Sequence, residues 1–584
     1  MILFGKSDFV TGSIRFKIIP GWKRLLINSA ISVGAGLLYS LALAPCNLEF
    51  LAFITLVSLL VVILQCRPAF ALLYGWLWGI GWAFCSYNFL REIDPAVPFL
   101  MAPVMALWPA VWSICVNLLC RHTLIPSKVS KQGTDAVQAY LDKGIAPANM
   151  LLFAVGAAAL FTLLEWTRSR LFTWNDFSVT QYRNLPLIQL ASVTGSYGVG
   201  FIVALGNTAI FSLFFKRARL AAIPLVLLII AVHVWGYLRL NAFEVSDNSK
   251  NAVIWNPILI QGDLSQRRNA SIEEASEALT IYRDLTLEAL KKYPDERFVI
   301  WPESAIPLPF HSSRDLRKYN LNHPYWQLCL EYQNTVRSLT TIHNCNMLIG
   351  SLDYNLPLAP KAQPDATNSA LFIQSGNRIA RKYDKIHRVP FGEYIPFRKV
   401  LPDFVTEYID MGRDIVPGTN PEPIQLTDKV FAGTAVCYEG VFGYLTREYA
   451  LRGANVLVVL SNDAWYPKSS EPEQHLANAV MRSVETGLPM VRCGNNGGSG
   501  VITPTGKFTQ CYSENVSRPE LWRGRAITRV NVKITPDVRR TIYVKYGEFI
   551  IIFLSLVVIS WIWYAWSNQR KKWSDLTSDG DSIQ

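Results

Sequence analysis

Charge is scarce in this sequence. Only 17% of its 584 residues are Asp, Glu, Lys or Arg, against 51% hydrophobic, and histidine occurs seven times. There is no P-loop, no dinucleotide-binding glycine fingerprint and no Cys/His spacing of the zinc-binding kind. Those absences leave no sequence basis for P-loop nucleotide chemistry, Rossmann-type redox chemistry or a structural zinc module. Cysteine is sparse as well. Cys46, Cys66, Cys85, Cys115 and Cys120 sit in or beside apolar runs and read as packing residues. Cys329, Cys345, Cys437, Cys493 and Cys511 fall in the polar region, and an odd number leaves at least one thiol free. The net charge of +12 would point to nucleic acid or an anionic surface in a soluble chain. Here the basic residues cluster between apolar runs, so membrane topology accounts for the excess. The length requires more than one core, hence at least two domains.

What the sequence has in quantity is apolar runs, nearly all of them before Leu238. A bilayer core takes about 20 residues of apolar helix. Seven candidate spans lie at 25–48, 50–66, 70–90, 97–120, 149–164, 187–215 and 220–238, and an eighth, Phe549–Ser567, carries no charged residue. With eight spans, one side collects the basic tail (Lys6, Arg15, Lys17, Lys23, Arg24), Arg67, Arg121, Lys128, Lys131 and Lys143. The same side takes Lys216, Arg217 and Arg219, then Arg570, Lys571 and Lys572 at the C-terminal end. The positive-inside rule then predicts cytoplasmic termini and puts the segment between spans seven and eight in an oxidising compartment. One connection breaks the count: 168–184 holds Arg168, Arg170 and Arg183 among Trp174, Asn175, Asp176 and Tyr182. It reads equally as a functional loop or as an aromatic belt with snorkelling arginines. The expected organisation is a membrane domain at 1–248 with seven helices, a catalytic domain at 249–544, and the eighth helix with a tail at 545–584.

From about Ser249 to Val544 the composition turns globular. Strand-like runs at 253–261, 297–301, 346–352, 369–374, Val430–Val436, 455–460 and 489–493 alternate with helical patterns at 272–293, 325–340, 441–451 and 474–486. Such alternation predicts an α/β sheet covered by helices, with active residues at strand C-terminal ends. Three strand ends carry chemistry. Phe298-Val-Ile-Trp-Pro-Glu303 delivers a carboxylate, which partial burial makes a general base. Tyr383-Asp-Lys385-Ile-His387 runs into Val389-Pro-Phe-Gly-Glu393-Tyr394-Ile-Pro396, an unusual setting for an ordinary solvated lysine. Gly433-Thr-Ala-Val-Cys437-Tyr438-Glu439 puts a thiol on a sharp turn after a buried strand. There the exposed N–H groups of a helix start would lower the thiol pKa and hold an oxyanion. Taken singly, Glu303 also reads as a helix cap, Lys385 as a surface lysine and Cys437 as a small core residue. Their order, Glu then Lys then Cys, is far more specific.

In that order the chain resembles the nitrilase, or carbon–nitrogen hydrolase, superfamily, and more narrowly its membrane-embedded branch, the apolipoprotein N-acyltransferases. Besides the three strand ends, the resemblance is carried by Gln261-Gly262, Ser461-Asn462-Asp463-Ala464-Trp465, Gln474-His475, Asn495-Asn496-Gly497 and Tyr543 to Gly547. With the eight spans it covers nearly the whole chain. It implies an α-helical bundle of eight spans plus an α-β-β-α sandwich. It further implies an acyl transfer in which Glu303 takes the proton of Cys437 and the thiolate attacks the sn-1 ester of a phospholipid, typically phosphatidylethanolamine. Lys385 and the backbone N–H of Tyr438 would stabilise the oxyanion, and a thioester would remain on Cys437. The α-amine of a diacylglyceryl-cysteine apolipoprotein would then attack the thioester, completing lipoprotein maturation. Glu393 would orient Lys385, Glu439 would support the site from behind, and Trp465, Tyr394 and Asn462 would lie on the substrate or lid side. The resemblance implies a monomer in the bacterial inner membrane with its catalytic domain periplasmic. It implies no metal, no cofactor and no nucleic acid, since a phospholipid ester is already an activated donor.

Three features depart from the family pattern. Arg388 stands where an apolar residue is usual, 267–269 reads Arg-Arg-Asn without an aromatic, and 468–473 aligns poorly. His387 and His475 invite a Cys–His reading, although a structural role suits them better. Two other functions remain to be weighed. A membrane-anchored amidase would let water resolve the thioester, but eight spans are excessive for an anchor. A transporter would need paired intramembrane charges, and the spans supply only Glu165 at the edge of one.

Overall fold

The computed structural model describes residues 21–64, 66–124, 144–246, 252–265, 271–308, 310, 323–355, 365–376, 378–396, 398–403, 414–466, 469–510, 524–535 and 540–578. The basic residues at Lys6, Arg15, Lys17, Lys128, Lys131 and Lys143, the 267–269 segment and Cys511 lie outside them. The chain divides into two compact units, Met1–Asn241 with Glu548–Gln584, and Ala242–Gly547.

The first unit is helical. Among the described residues five helices are long and apolar enough to cross a membrane: Pro68–Ser86, Val97–Leu124, Pro147–Leu171, Ala218–Phe243 and Phe549–Ser567. The other three expected spans take different forms. The run from 25 forms the helix Gly21–Ser40. The second is a 3₁₀ turn, Glu49–Phe53, followed by a short helix, Thr55–Ile63. The third breaks into Leu185–Ile188, Ala191–Thr194 and Ser196–Ser212, with Gly195 at φ +70° between the last two. Broken backbone inside an apolar unit must find hydrogen-bond partners within the protein. Asn207 supplies them at the second span, donating to the Ala52 carbonyl at 2.7 Å and accepting from the Leu56 N–H at 2.9 Å.

The same unit corrects the expectation that its charges are unpaired. Arg168 is 1% exposed, so it does not snorkel. It donates to Asp176 at 2.7 Å, to the Tyr87 hydroxyl at 2.9 Å and to the Trp174 carbonyl at 3.0 Å. Glu165 lies 4.0 Å from the guanidinium and accepts from the Phe177 N–H at 2.9 Å. Arg170 keeps the interfacial character, half-exposed, over the Trp166 ring and paired with Glu548 at 2.7 Å.

The second unit is an α-β-β-α sandwich. One sheet has the order β13-β2-β3-β4-β5-β6 and the other β12-β11-β10-β9-β8-β7. The first comprises β2 (Ile258–Gln261), β3 (Phe298–Ile306), β4 (Asn346–Asn355), β5 (Asp365–Gln374), β6 (Arg378–Asp384) and β13 (Ala526–Arg529). The second comprises β7 (Ile424–Thr427), β8 (Val430–Val436), β9 (Val456–Ser461), β10 (Met490–Gly494), β11 (Gly500–Ile502) and β12 (Phe508–Gln510). β2–β3–β4 and β8–β9–β10 are parallel, and the flanking strands are antiparallel. The strands β8 and β9 read as nearly continuous apolar runs because they are covered on both faces. The buried Cys493 thiol reaches across the sheet interface to the Ile300 carbonyl at 3.4 Å. The helices Ile272–Lys292 and Pro324–Ile342 pack outside the first sheet, and Gly443–Leu451 and Glu471–Thr486 outside the second. Ile272–Lys292 starts where its capping box dictates, Ser271 with Glu274. The expected strand at 253–261 is two strands. β1 (Val253–Trp255) pairs only with β14 (Val532–Ile534), because Asn256-Pro257 interrupts the ladder before β2.

Candidate active site

Glu303 sits inside β3 rather than at its end. The pairing of β3 with β4 shifts register between Trp301 and Ile306, and Ser304 adopts φ +55°. This bulge re-aims the carboxylate. It is possible because β4 has Gly350 alongside: a Cβ there would lie 2.6 Å from the Glu303 Cα and 2.3 Å from the Pro302 carbonyl oxygen. Lys385 follows β6, an antiparallel strand that periodicity did not reveal. Cys437 follows β8 with φ +53°, a left-handed conformation unusual for a side-chain-bearing residue and frequent where function over-determines the backbone.

The structure brings the three together. The Lys385 ammonium, 1% exposed, lies 2.9 Å from Glu393 and 3.5 Å from Glu303. Asn368, buried on β5, donates through one amide nitrogen to Glu303 Oε1 at 2.8 Å and Glu393 Oε1 at 2.9 Å. Only an NH₂ can face two carboxylates, so its orientation is settled by chemistry. The Asn368 backbone carbonyl also accepts from the Lys385 backbone N–H at 2.8 Å. Glu303 Oε2 is buried without a full hydrogen bond, and the Cys437 thiol interacts with this carboxyl. Burial raises the Glu303 pKa, opposed by Lys385 and Asn368. Burial works against the Lys385 charge, yet Glu393 and Glu303 outweigh it and raise its pKa. Burial, then Glu303, raises the Cys437 thiol pKa well above normal.

That last direction corrects an expectation. The α-helix begins only at Gly443, and a five-residue 3₁₀ turn, Cys437–Val441, comes first. The thiol therefore lies at no α-helix start that could depress its pKa.

The turn is clamped from three directions. Glu439, fully buried, accepts from the Val436 N–H at 2.8 Å, the Ile386 N–H at 2.7 Å, the His387 N–H at 2.9 Å and the Tyr383 hydroxyl at 2.8 Å. It thus ties the lysine loop to the nucleophile strand, while burial pushes its pKa up to about 7. From Glu471–Thr486, His475 Nε2 meets the Cys437 carbonyl at 3.1 Å and Arg482 donates to the Val441 carbonyl at 2.8 Å. His387 stacks face to face on Phe442 at 3.8 Å, and burial and Lys385 lower its pKa to about 4. Arg388 fits the loop despite its charge, donating to the Ile415 carbonyl at 2.8 Å and lying 4.2 Å over the Tyr394 ring.

Glu393 closes the lysine loop by accepting from the Val389 N–H at 2.8 Å. Tyr438 is buried edge-on against Phe442. Asn462 caps the turn Asp463–Trp465 and accepts from Asn495 at 3.0 Å, and Trp465 on that turn is half-buried. Sequence reasoning missed Asn368, Gly350 and Arg492, and gave Tyr383 no role within the lysine motif. Asn368 offered no local signal, since β5 also carries Asp365, Thr367, Ser369 and Gln374. Cys437, Asp463 and His475 offer donor atoms within 4.8 Å of one another. The buried Arg492 guanidinium contacts both Asp463 and His475, which makes the spot poor for a cation.

Comparison with known proteins agrees with this architecture. Residues 35–209 match the apolipoprotein N-acyltransferase N-terminal domain, and residues 265–517 match the carbon-nitrogen hydrolase family. A relative from Geobacter metallireducens, named apolipoprotein N-acyltransferase, is 32% identical over 409 residues, spanning 67% of this chain and 72% of that protein. One of the same name from Haemophilus influenzae is 26% identical over 550 residues, 91% of this chain and 93% of its own. A helical apolar unit and a carbon–nitrogen hydrolase sandwich in one chain, matched over such lengths, make it a member of the apolipoprotein N-acyltransferase family, a membrane acyltransferase.

Proposed function

We propose that Glu303, Lys385 and Cys437 transfer an acyl chain from a phospholipid to an apolipoprotein amine through a thioester. The observation that carries this is the half-buried Cys437 thiol interacting with the buried Glu303 carboxyl, one oxygen of which has no other hydrogen-bond partner among the described residues, beside a lysine held between two carboxylates. Glu303 accepts the Cys437 proton as sulfur attacks the sn-1 ester carbonyl, with phosphatidylethanolamine the expected donor. Lys385 and the Tyr438 N–H face the developing oxyanion. The C–O bond breaks, Glu303 returns the proton to the lysophospholipid oxygen, and the acyl group remains on sulfur. The α-amine of a diacylglyceryl-cysteine apolipoprotein then attacks, and Glu303 takes its proton. The C–S bond breaks and the thiol is restored.

Glu393 holds Lys385, Glu439 holds the turn, and Trp465, Tyr394 and Asn462 lie toward the substrates. In this reading residues 1–248 and 545–584 make an eight-span bundle in the bacterial inner membrane with both termini cytoplasmic. Residues 249–544 form the periplasmic catalytic domain of a monomer. Intact-protein mass spectrometry after mixing with phosphatidylethanolamine tests it. A hydroxylamine-sensitive acyl mass, absent in Cys437→Ala, is expected; no adduct on folded protein would refute the phospholipid step.

A further inference from the structure

The hydrogen bonds around His475 have a chemical consequence beyond packing. His475 is buried in the helix Glu471–Thr486, and both ring nitrogens have neighbours. Nε2 lies 3.1 Å from the Cys437 carbonyl oxygen, which can only accept. Nδ1 lies 3.2 Å from Arg492 Nη2, which can only donate, and 3.1 Å from Asp463 Oδ1, which can only accept when ionised. Glu471 is 3.5 Å from the same Nδ1.

Burial and Arg492 outweigh Asp463 and lower the ring's pKa, which favours the neutral form. One proton must therefore be placed. On Nδ1 it satisfies Asp463 alone, aims an N–H at an arginine N–H, and sets the Nε2 lone pair against the carbonyl. On Nε2 it donates to the Cys437 carbonyl while Nδ1 accepts from Arg492, at the cost of setting the Nδ1 lone pair beside Asp463 Oδ1 at 3.1 Å, a repulsion that the Arg492 charge between the two offsets. Asp463 is already supplied, because the Ser461 hydroxyl donates to Oδ1 at 2.6 Å and Arg492 pairs with Oδ2.

We infer that His475 is a positioning residue: through an Nε2–H donated to the Cys437 carbonyl, it aims and polarises the Tyr438 N–H that serves as an oxyanion donor. The peptide group is planar, so fixing the carbonyl of residue 437 fixes the N–H of residue 438 on its opposite side. Donation to that carbonyl also polarises the N–H of the same peptide. Cys437 needs such an external hold because its backbone sits at φ +53°. With Nε2 occupied by the carbonyl, His475 is not the base for the thiol. The inference rests on the acyl-transfer reading above.

The experiment compares His475→Asn with His475→Gln. The asparagine amide falls short of the Nε2 position, and the glutamine amide reaches it. Two rates are measured on the full-length protein in detergent: acyl adduct formation from saturating phosphatidylethanolamine, and Cys437 alkylation by iodoacetamide across pH. Alkylation forms no oxyanion. Outright loss of an oxyanion donor costs about 10²- to 10³-fold, so loss of its aim should cost roughly 10- to 100-fold. Expected for His475→Asn is that fall in acylation, with alkylation and its pH profile unchanged, and His475→Gln should recover most of it. Wild-type acylation in His475→Asn would overturn the inference, as would a parallel fall in alkylation, which would mean that the thiol itself had been displaced. Should His475→Asn fail to fold, the glutamine variant decides alone: near wild-type acylation supports the donor, and a tenfold loss with normal alkylation overturns it. A wild-type protein that alkylates but forms no adduct would remove the acyl-transfer reading and this inference together.

Discussion

Replacing Asn368 by leucine, similar in size but without hydrogen-bonding groups, should move the pH at which Cys437 becomes reactive. Asn368 donates at 2.8 Å to the same Glu303 oxygen that faces Lys385, and this bond lowers the Glu303 pKa against the upward push of burial. A hydrogen bond to a charged group contributes about 1.5–3 kcal/mol. Its loss therefore raises the Glu303 pKa further. Glu303 accepts the thiol proton only when ionised, so the acid limb of the rate profile must move toward higher pH, and at about 1.4 kcal/mol per tenfold the rate on that limb falls roughly 10- to 100-fold. The sign for stability follows. A carboxyl whose folded pKa lies above its unfolded value contributes stability at low pH that is lost as pH rises through the folded pKa. Asn368→Leu should therefore lose further stability at neutral pH while changing little at acid pH. The assay is iodoacetamide alkylation of Cys437 followed by intact mass from pH 5 to 9, with thermal unfolding over the same range. An acid limb that stays in place, or moves down, would refute the assignment of Glu303 as base and Asn368 as its tuning donor.

Glu439→Gln replaces a carboxylate that accepts from the Val436, Ile386 and His387 N–H groups and the Tyr383 hydroxyl. A carboxamide has one acceptor oxygen, so at least one buried N–H is orphaned at a cost of about 1–3 kcal/mol. The expected result is a lower melting temperature together with lost acyl adduct, and an unchanged melting temperature would count against the clamp. His387→Phe keeps the stack on Phe442 and removes a ring whose folded pKa is lowered to about 4 from 6.5. The unfolded chain binds that proton first, so the native protein loses stability as pH falls from 6.5 toward 4, by about 3 kcal/mol at most for a shift of this size. The variant should show a shallower decline in melting temperature across that window, read by differential scanning fluorimetry, and an equal slope would argue that His387 is not the group responsible.

By itself the sequence determined the class of molecule and singled out the side chains proposed here as reactive. Apolar runs, caps and strand endings are local signals, and they placed Val430–Val436, the capped helix Ile272–Lys292 and the Glu303, Lys385 and Cys437 set. The family resemblance rested on short motifs and the pattern of spans, and relatives covering 67% and 91% of this chain carry the same family name. Only the tertiary structure decided what surrounds them. Asn368 and Gly350 matter through neighbours on adjacent strands, and no period of two or 3.6 residues reports a cross-strand partner. The thiol pKa was expected to fall because a helix start was expected. Burial and Glu303 raise it instead, and both depend on segments more than a hundred residues apart in the chain. The apolar stretch 187–215 looked continuous, yet it is broken around Gly195, and Asn207 from its last helix serves backbone groups at 52 and 56. Hydropathy counts side chains. Where a backbone finds its hydrogen-bond partners is a property of the fold.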